Sequence, residues 1–370
     1  MGKIIRKIVR ITYTRLIKPA LFKVHPDIVH KNTVRFARAV QKSRIVLYVT
    51  RKIFTYEHKE LLQTIYGIEF KNPVGLSAGF DKNVQLAPLM EAVGFGFVTA
   101  GSVTGRRCAG NAKPWFHRLP KEKSLVVNVG LANPGSRLVA NRMKLDKKTA
   151  SRTVPLMISV ARTNDNTTNS DESGIDDYVL GLKNLAPYPE LFEINISCPN
   201  TYGGEPFTDP TRLEKLLKAI EKLQLSQPVF IKMPSNMSWA ELDILLAIVV
   251  RHDIQGVTIC NLRKTRDGIS VDSSVKGNLS GKPVQQLSDE LIEKTYKKYG
   301  SDLIIIGVGG VFTAEDAYRK ITLGASMVAL VTGMIFEGPS IVGDINEGLA
   351  ALLRKDGYNN ISQAIGSGVK

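Results

Sequence analysis

Eight short apolar runs, with helical stretches between several of them, constrain this chain's fold more than any other feature. They are PVGLSAG (73–79), FVTAG (97–101), LMISVA (156–161), FEINIS (192–197), PVFIKM (228–233), GVTICN (256–261), LIIIGV (303–308) and MVALVT (327–332). Most are continuously apolar, the pattern of strands buried on both faces. The stretches VQLAPLMEAV (84–93), TRLEKLLKAIEKL (211–223), WAELDILLAIVVRH (239–252) and AEDAYRKITLG (314–324) carry helical patterns between them. Strands joined by α crossovers make an α/β fold, and eight of them fit a (β/α)₈ TIM barrel. A doubly wound sheet is the alternative, but no GxGxxG follows the first strand. At 370 residues and 43% hydrophobic, the chain can fill one large core or two modest ones. We expect an N-terminal helical extension over 1–55, a barrel over 56–345 and a C-terminal tail over 346–370.

Charge marks off the extension. Residues 1–55 hold fourteen Lys and Arg against the single acid Asp27, so they carry +13 of the formal +16. Ile4, Ile5, Ile8, Val9, Leu16 and Ala20 recur near helical spacing, while Lys3, Lys7, Arg10 and Lys18 fall on another face. No apolar run reaches the roughly 18–20 residues of a spanning helix. A basic amphipathic helix suits a bilayer surface, with its apolar stripe among acyl chains and its cations at anionic headgroups. Pro19 is expected to bend or end it. A second helix is expected from about Asp27 to Arg38, followed by the apolar patch IVLYV (45–49), and together they could form a small lid. A targeting segment, or a cationic helix packed on the barrel, are the other readings. Few aromatic residues are available for base stacking, which argues against nucleic acid.

Barrel enzymes place their sites at the C-terminal strand ends. Here those ends carry Asp81–Lys82, Ser102, Arg162, Asn195–Cys198, Lys232, Asn261, Gly309–Gly310 and Thr332–Gly333. Amides and lysines on one rim suit a planar, anionic, hydrogen-bonding ligand. They do not suit a metal, because paired carboxylates and histidines are missing. The three cysteines, Cys108, Cys198 and Cys260, share no metal-ligand spacing and give no disulfide framework. The glycines of GVGG (307–310) and TGMIF (332–336) let backbone N–H groups approach a phosphate, the usual site of this fold after strands seven and eight.

From NPVGLSAGFDKN (72–83) onward the chain resembles the dihydroorotate dehydrogenase family. The likeness runs almost continuously from about Pro19 to Gly338, through MEAVGFGFVTAGSVT (90–104), GNAKPWFHRLP (110–120), INISCPNT (194–201), LSGKP (279–283), IIGVGG (305–310) and TGMIFEGP (332–339). The N-terminal helices and the GNxKPxxxRLP stretch are similar to the quinone-linked, membrane-associated class, whose members pass electrons from dihydroorotate through FMN to a quinone. That resemblance implies a peripheral membrane enzyme of pyrimidine (UMP) biosynthesis, at the cytoplasmic face of a bacterial inner membrane or at a mitochondrial inner membrane.

The resemblance also implies roles. Ala78, Gly79, Phe80, Asp81 and Lys82 would line FMN, with Lys82 also reaching the orotate carboxylate. Ser102, Asn195, Lys232, Cys260 and Gly281 would contact the flavin ring and ribityl chain, and Gly310, Val331 and Thr332 would hold its phosphate through backbone groups. Asn195, Asn200 and Asn261 would bind the pyrimidine ring, and Cys198 would be the catalytic base. A cationic lysine near flavin N1 would stabilise the reduced flavin.

The chain departs from the family at several of these places. Cys198 stands where quinone-linked members have serine; it is like the cytosolic class, which uses fumarate or a nicotinamide. A thiol with a free pKa of about 8.5 ionises more easily than a hydroxyl. Val127 replaces an asparagine, with Asn128 adjacent as a substitute substrate contact. Leu131 replaces a phenylalanine, Leu262 a threonine and Val331 a tyrosine. Ser159 stands in for a flavin-contacting asparagine. A related dihydropyrimidine as substrate, or a soluble acceptor such as fumarate, is the alternative these differences raise.

Overall fold

The computed structural model describes residues 2–146 and 152–370. All eight apolar runs become the strands of one closed parallel barrel: β1 (Val74–Leu76), β2 (Phe97–Thr104), β3 (Leu156–Ala161), β4 (Leu191–Asn195), β5 (Val229–Lys232), β6 (Gly256–Ile259), β7 (Ile304–Val308) and β8 (Met327–Leu330). Each strand pairs with its neighbours in sequence, and β8 closes on β1 with Val328 opposite Val74.

Side-chain alternation divides each strand between two cores. Outward residues such as Val98, Ile158, Ile194, Ile231 and Val257 join the helices in the main core. Inward residues Phe97, Met157, Leu191, Phe230, Ile306 and Met327 fill the barrel's lower end. A hairpin, Gln63–Ile65 with Ile68–Phe70, plugs that end by adding Ile65 and Phe70 to the same cluster. Tyr66 and Gly67 turn it at positive φ (50° and 74°), as a tight two-residue hairpin requires. Two residues further along the strands, the inward positions turn polar: Ser159, Glu193, Lys232 and Thr258 are all buried there. A three-stranded antiparallel sheet (Phe116–Leu119, Ser124–Val127, Asn278–Leu279) lies outside the barrel sheet.

The extension forms α1 (Gly2–Thr12), a π-helical turn (Tyr13–Ile17), α2 (Lys18–Lys23), α3 (Pro26–Val40) and α4 (Arg44–Phe54). Pro19 does not end the first helix. It sits in the first turn of α2, and the wide turn just before it accommodates a residue that has no N–H to donate. The IVLYV patch is part of a helix, started by the Ser43 side chain accepting from Val46 N–H.

Helix α1 is docked through Arg6 and Arg10, while Lys3 and Lys7 stay exposed. Arg6 is 3% exposed; its Nε lies 3.1 Å from Asp344 Oδ1, and its Nη2 pairs with Glu347. Arg10 pairs with Glu337 at 2.9 Å, and Tyr13 Oη donates to the Ile335 carbonyl. Ile4, Ile8 and Ile11 consequently face outward, as do Phe36, Ile45, Tyr48 and Val49 on the later helices. Among the described residues, no helix is long and apolar enough to cross a membrane. At the other end of the chain, the expected boundary at 345/346 falls inside the helix Ile341–Lys355. That helix buries Ile345, Leu349 and Leu353 in the main core, so residues 346–370 do not begin as a separate tail.

Candidate active site

Two joined hollows open at the C-terminal ends of the barrel strands. They share Ala78, Lys232, Asn261, Leu262, Ser280, Val331 and Thr332. The larger one collects Gly79, Phe80, Lys82, Ser102, Asn195, Cys198 and Asn200. The smaller one is lined by Cys260, Gly281, Gly309 and Gly310. Nearly all the residues singled out in the sequence therefore meet around one cavity, although they come from seven of the eight strand ends and the loop around Gly281.

Hydrogen bonds between strand ends fix the amides. Asn195 Nδ2 donates to Ser102 Oγ at 2.8 Å, and Ser102 Oγ lies 2.8 Å from Ser159 Oγ. Asn261 Nδ2 donates to the Ser197 carbonyl at 2.6 Å. Asn200 donates to the Val127 carbonyl at 3.0 Å and accepts from Asn278 at 2.6 Å. Its side chain is thus fixed by the three-stranded sheet. The loop that carries Cys198 and Asn200 is held further by Arg162, which donates to the Tyr202 carbonyl, and by the Glu205–Lys264 ion pair.

Three expected residues sit elsewhere. Asp81 is 1% exposed and does not line the cavity. Its carboxylate accepts from the Gln85 and Leu86 N–H groups (2.7 and 2.8 Å), so it shapes the turn that carries Lys82. Ser159 is fully buried and reaches the cavity only through Ser102. Asn128 points away and accepts from Asn111 at 2.9 Å. Alternation along Ser124–Val127 is the reason: Leu125 and Val127 face the cavity, so the residue after Val127 cannot. Val127, Val129, Leu131 and Leu262 together make one side of the larger hollow apolar.

Other cavity residues gave no signal in the sequence. His30 comes from α3, and Phe116, Leu125 and Ile335 extend the larger hollow beneath that helix. The lone acid of the extension, Asp27, pins α3 there, because its carboxylate accepts from the Trp115 and Phe116 N–H groups. His30 Nε2 lies 2.9 Å from Lys82 Nζ. Burial, then the Lys82 charge, lowers the His30 pKa to about 3, so the imidazole is neutral and accepts from the ammonium. Burial also lowers Lys82 to about 8, against the opposing pull of Asp27 and Asp81.

Cys198 keeps some surface open to the cavity, but the protein packed around it pushes the thiol up to about 11. Burial thus opposes the easy ionisation expected of a cysteine at this position. Cys260 is more deeply buried and is pushed up to about 12.

The family model for dihydroorotate dehydrogenase matches residues 60–353, the whole barrel. The chain belongs to the dihydroorotate dehydrogenase family. Proteins described as dihydroorotate dehydrogenase (quinone) are similar along nearly the full length. That of Synechocystis is 33% identical over 92% of this chain and 89% of its own. That of Deinococcus deserti is 31% identical over 96% and 99%, and that of Haloarcula marismortui 32% over 95% and 97%. Among solved structures, the DHODH of Eimeria tenella in complex with ferulenol superposes with a TM-score of 0.83 at 25% identity, covering 92% of this chain and 95% of its own. At these coverages the likeness extends beyond the barrel into part of the extension.

Proposed function

We propose that this chain oxidises dihydroorotate to orotate in pyrimidine biosynthesis and delivers the electrons, by way of FMN, to a quinone at a membrane surface. The observation that carries this reading is the three-part cavity: a glycine-lined end, an amide- and lysine-lined centre, and an apolar throat leading under α3.

The residues present fit FMN. Among the described residues, the backbone N–H groups of Gly309, Gly310 and Val331 have no protein acceptor, which leaves them for phosphate oxygens. A Cβ on Gly310 would come within 2.3 Å of Gln285 Cβ, so the rim is built around a bare backbone. Gly309, Gly310, Val331 and Thr332 would hold the phosphate, while Ala78, Gly79, Ser102, Asn195, Lys232, Cys260 and Gly281 would hold the ring system and its chain. Bound there, FMN supplies a hydride acceptor that can pass its electrons on to a quinone.

The chain's own groups do the rest. Lys82 holds the substrate carboxylate. Asn195, Asn200 and Asn261 orient the ring through amides already fixed by their neighbours. Cys198 removes the C5 proton. In the throat, His30, Phe116 and Ile335 form a surface for an apolar acceptor, reached from the outward apolar face of the extension. The exposed isoleucines, flanked by Lys3, Lys7 and Arg15, support seating on an anionic bilayer.

Anaerobic mixing of the flavin-loaded protein with dihydroorotate should bleach the visible flavin band, and a soluble quinone should restore it. A flavin that stays oxidised would refute the dehydrogenase reading. Cys198 and the apolar side at Val127 and Leu262 favour one second reading, a related dihydropyrimidine or a soluble acceptor. Reoxidation by fumarate but not by quinone would select it.

A further inference from the structure

We infer that Glu193, a carboxylate inside the barrel behind Lys232, offsets the charge that Lys232 presents to the cavity and so lowers the reduction potential of the bound flavin. This rests on the FMN reading above.

Glu193 lies on β4 two residues before Asn195 and two after Leu191, which belongs to the barrel's inner apolar cluster. It therefore points into the barrel, and it is 2% exposed. Its Oε1 is 3.9 Å from Lys232 Nζ, and Lys232 is its only ion-pair partner among the described residues. That oxygen has no hydrogen-bond partner, and neither does Thr258 Oγ1, whose residue pairs with Lys232 across β5 and β6.

Such an arrangement is poor for stability. A buried carboxylate with an orphan oxygen is costly, and an apolar side chain of similar size usually serves a core better. It is also poor for positioning, since nothing at hydrogen-bond distance ties the carboxylate to the ammonium. What remains is charge. Beneath the pair lie Phe230, Leu191 and Met157, which screen little, so the carboxylate acts on the cavity almost as directly as Lys232 does. Lys232 lines both hollows. Alone, it would favour the added negative charge of reduced flavin and hold electrons back from an acceptor. Glu193 offsets that hold. It acts by its charge and lines neither hollow.

The test uses the full-length, FMN-loaded chain and Glu193→Gln. Potentiometric titration should give a more positive midpoint for the variant, and sulfite, which adds to flavin as an anion, should bind tighter by on the order of tenfold. An unchanged midpoint and sulfite affinity, at native FMN content, would overturn the inference. If the variant does not fold, the reduced-minus-oxidised infrared difference spectrum of the unaltered protein decides. A carboxylate band that moves with flavin reduction supports the role, and its absence defeats it. A chain that binds no FMN instead defeats the reading on which this inference rests.

Discussion

Cys198 offers the sharpest test, because its chemistry and its surroundings pull in opposite directions. Burial pushes the thiol up to about 11, against the lowering effect of the Asn200 backbone N–H and of Lys232. With that value, the thiolate fraction is about 10⁻⁴ at pH 7 and about 10⁻² at pH 9. If the thiolate takes the C5 proton, the limiting rate of flavin reduction at saturating dihydroorotate should rise about tenfold per pH unit over this range, and level off only near the thiol's own pKa. Stopped-flow absorbance under anaerobic conditions measures that rate directly, without the quinone step. Cys198→Ala should keep FMN and lose both the rate and its slope. Cys198→Ser should fall below the cysteine enzyme while keeping a positive slope. A wild-type rate that is flat from pH 7 to pH 9, or that levels off near pH 8, would refute the argument from burial. A Cys198→Ala variant with native rate would remove the residue from the mechanism altogether.

Lys82 should give a second, opposite pH dependence. Its charged form is lost as pH rises through about 8, so orotate affinity, followed by its perturbation of the flavin spectrum, should be constant below that pH and weaken about tenfold per unit above it. A constant affinity up to pH 9.5 would exclude Lys82 as the carboxylate's partner. Val127→Asn places an amide on the apolar side of the cavity and should tighten orotate binding by roughly three- to tenfold, the worth of one hydrogen bond; weaker binding would show that the apolar side fits the ligand as it stands. Gly310→Ala puts a Cβ against Gln285 at a φ of +72°, and purified protein should carry much less FMN while its circular dichroism stays native. Arg6→Ala leaves Asp344 and Glu347, each about a quarter exposed, without their buried partner; it should cost on the order of 2 kcal/mol in chemical denaturation, and an unchanged midpoint would deny α1 its dock.

The barrel was readable because parallel strands buried on both faces leave continuous apolar runs, and each of the eight runs overlaps a strand. The cavity was readable at the strand ends, where Ser102, Asn195, Lys232 and Asn261 line it. It was not readable where a side chain's direction depends on pairing. Val127 and Asn128 are neighbours in sequence, and only the register of the three-stranded sheet decides which faces inward. Nor was burial readable: the Cys198 thiol looks reactive as a residue type and is held back by what packs around it. His30 lies more than fifty residues from Lys82 in sequence, and no local pattern announces that α3 roofs the site.

That roof changes how the extension should be tested. A strongly basic segment invites deletion as a removable anchor, with the barrel left to work alone. Yet α3 supplies His30 to the cavity wall, and Asp27 holds the backbone of Trp115 and Phe116 on the sheet that carries Val127. Deleting residues 1–55 would strip a wall from the site and uncover the part of the main core that Ala37 packs against, so lost activity would say nothing about membranes. The outward face separates the two roles. Ile8 and Ile11 are 58% and 43% exposed, and Ile45 is 76% exposed, and none of them takes part in the ion pairs that dock α1. Glutamate at these three positions should leave dihydroorotate-driven flavin bleaching unchanged, because no cavity residue is touched. It should abolish sedimentation with anionic vesicles, because apolar area and net positive charge are lost together. Vesicle binding that survives all three substitutions would mean that this face meets something other than a bilayer.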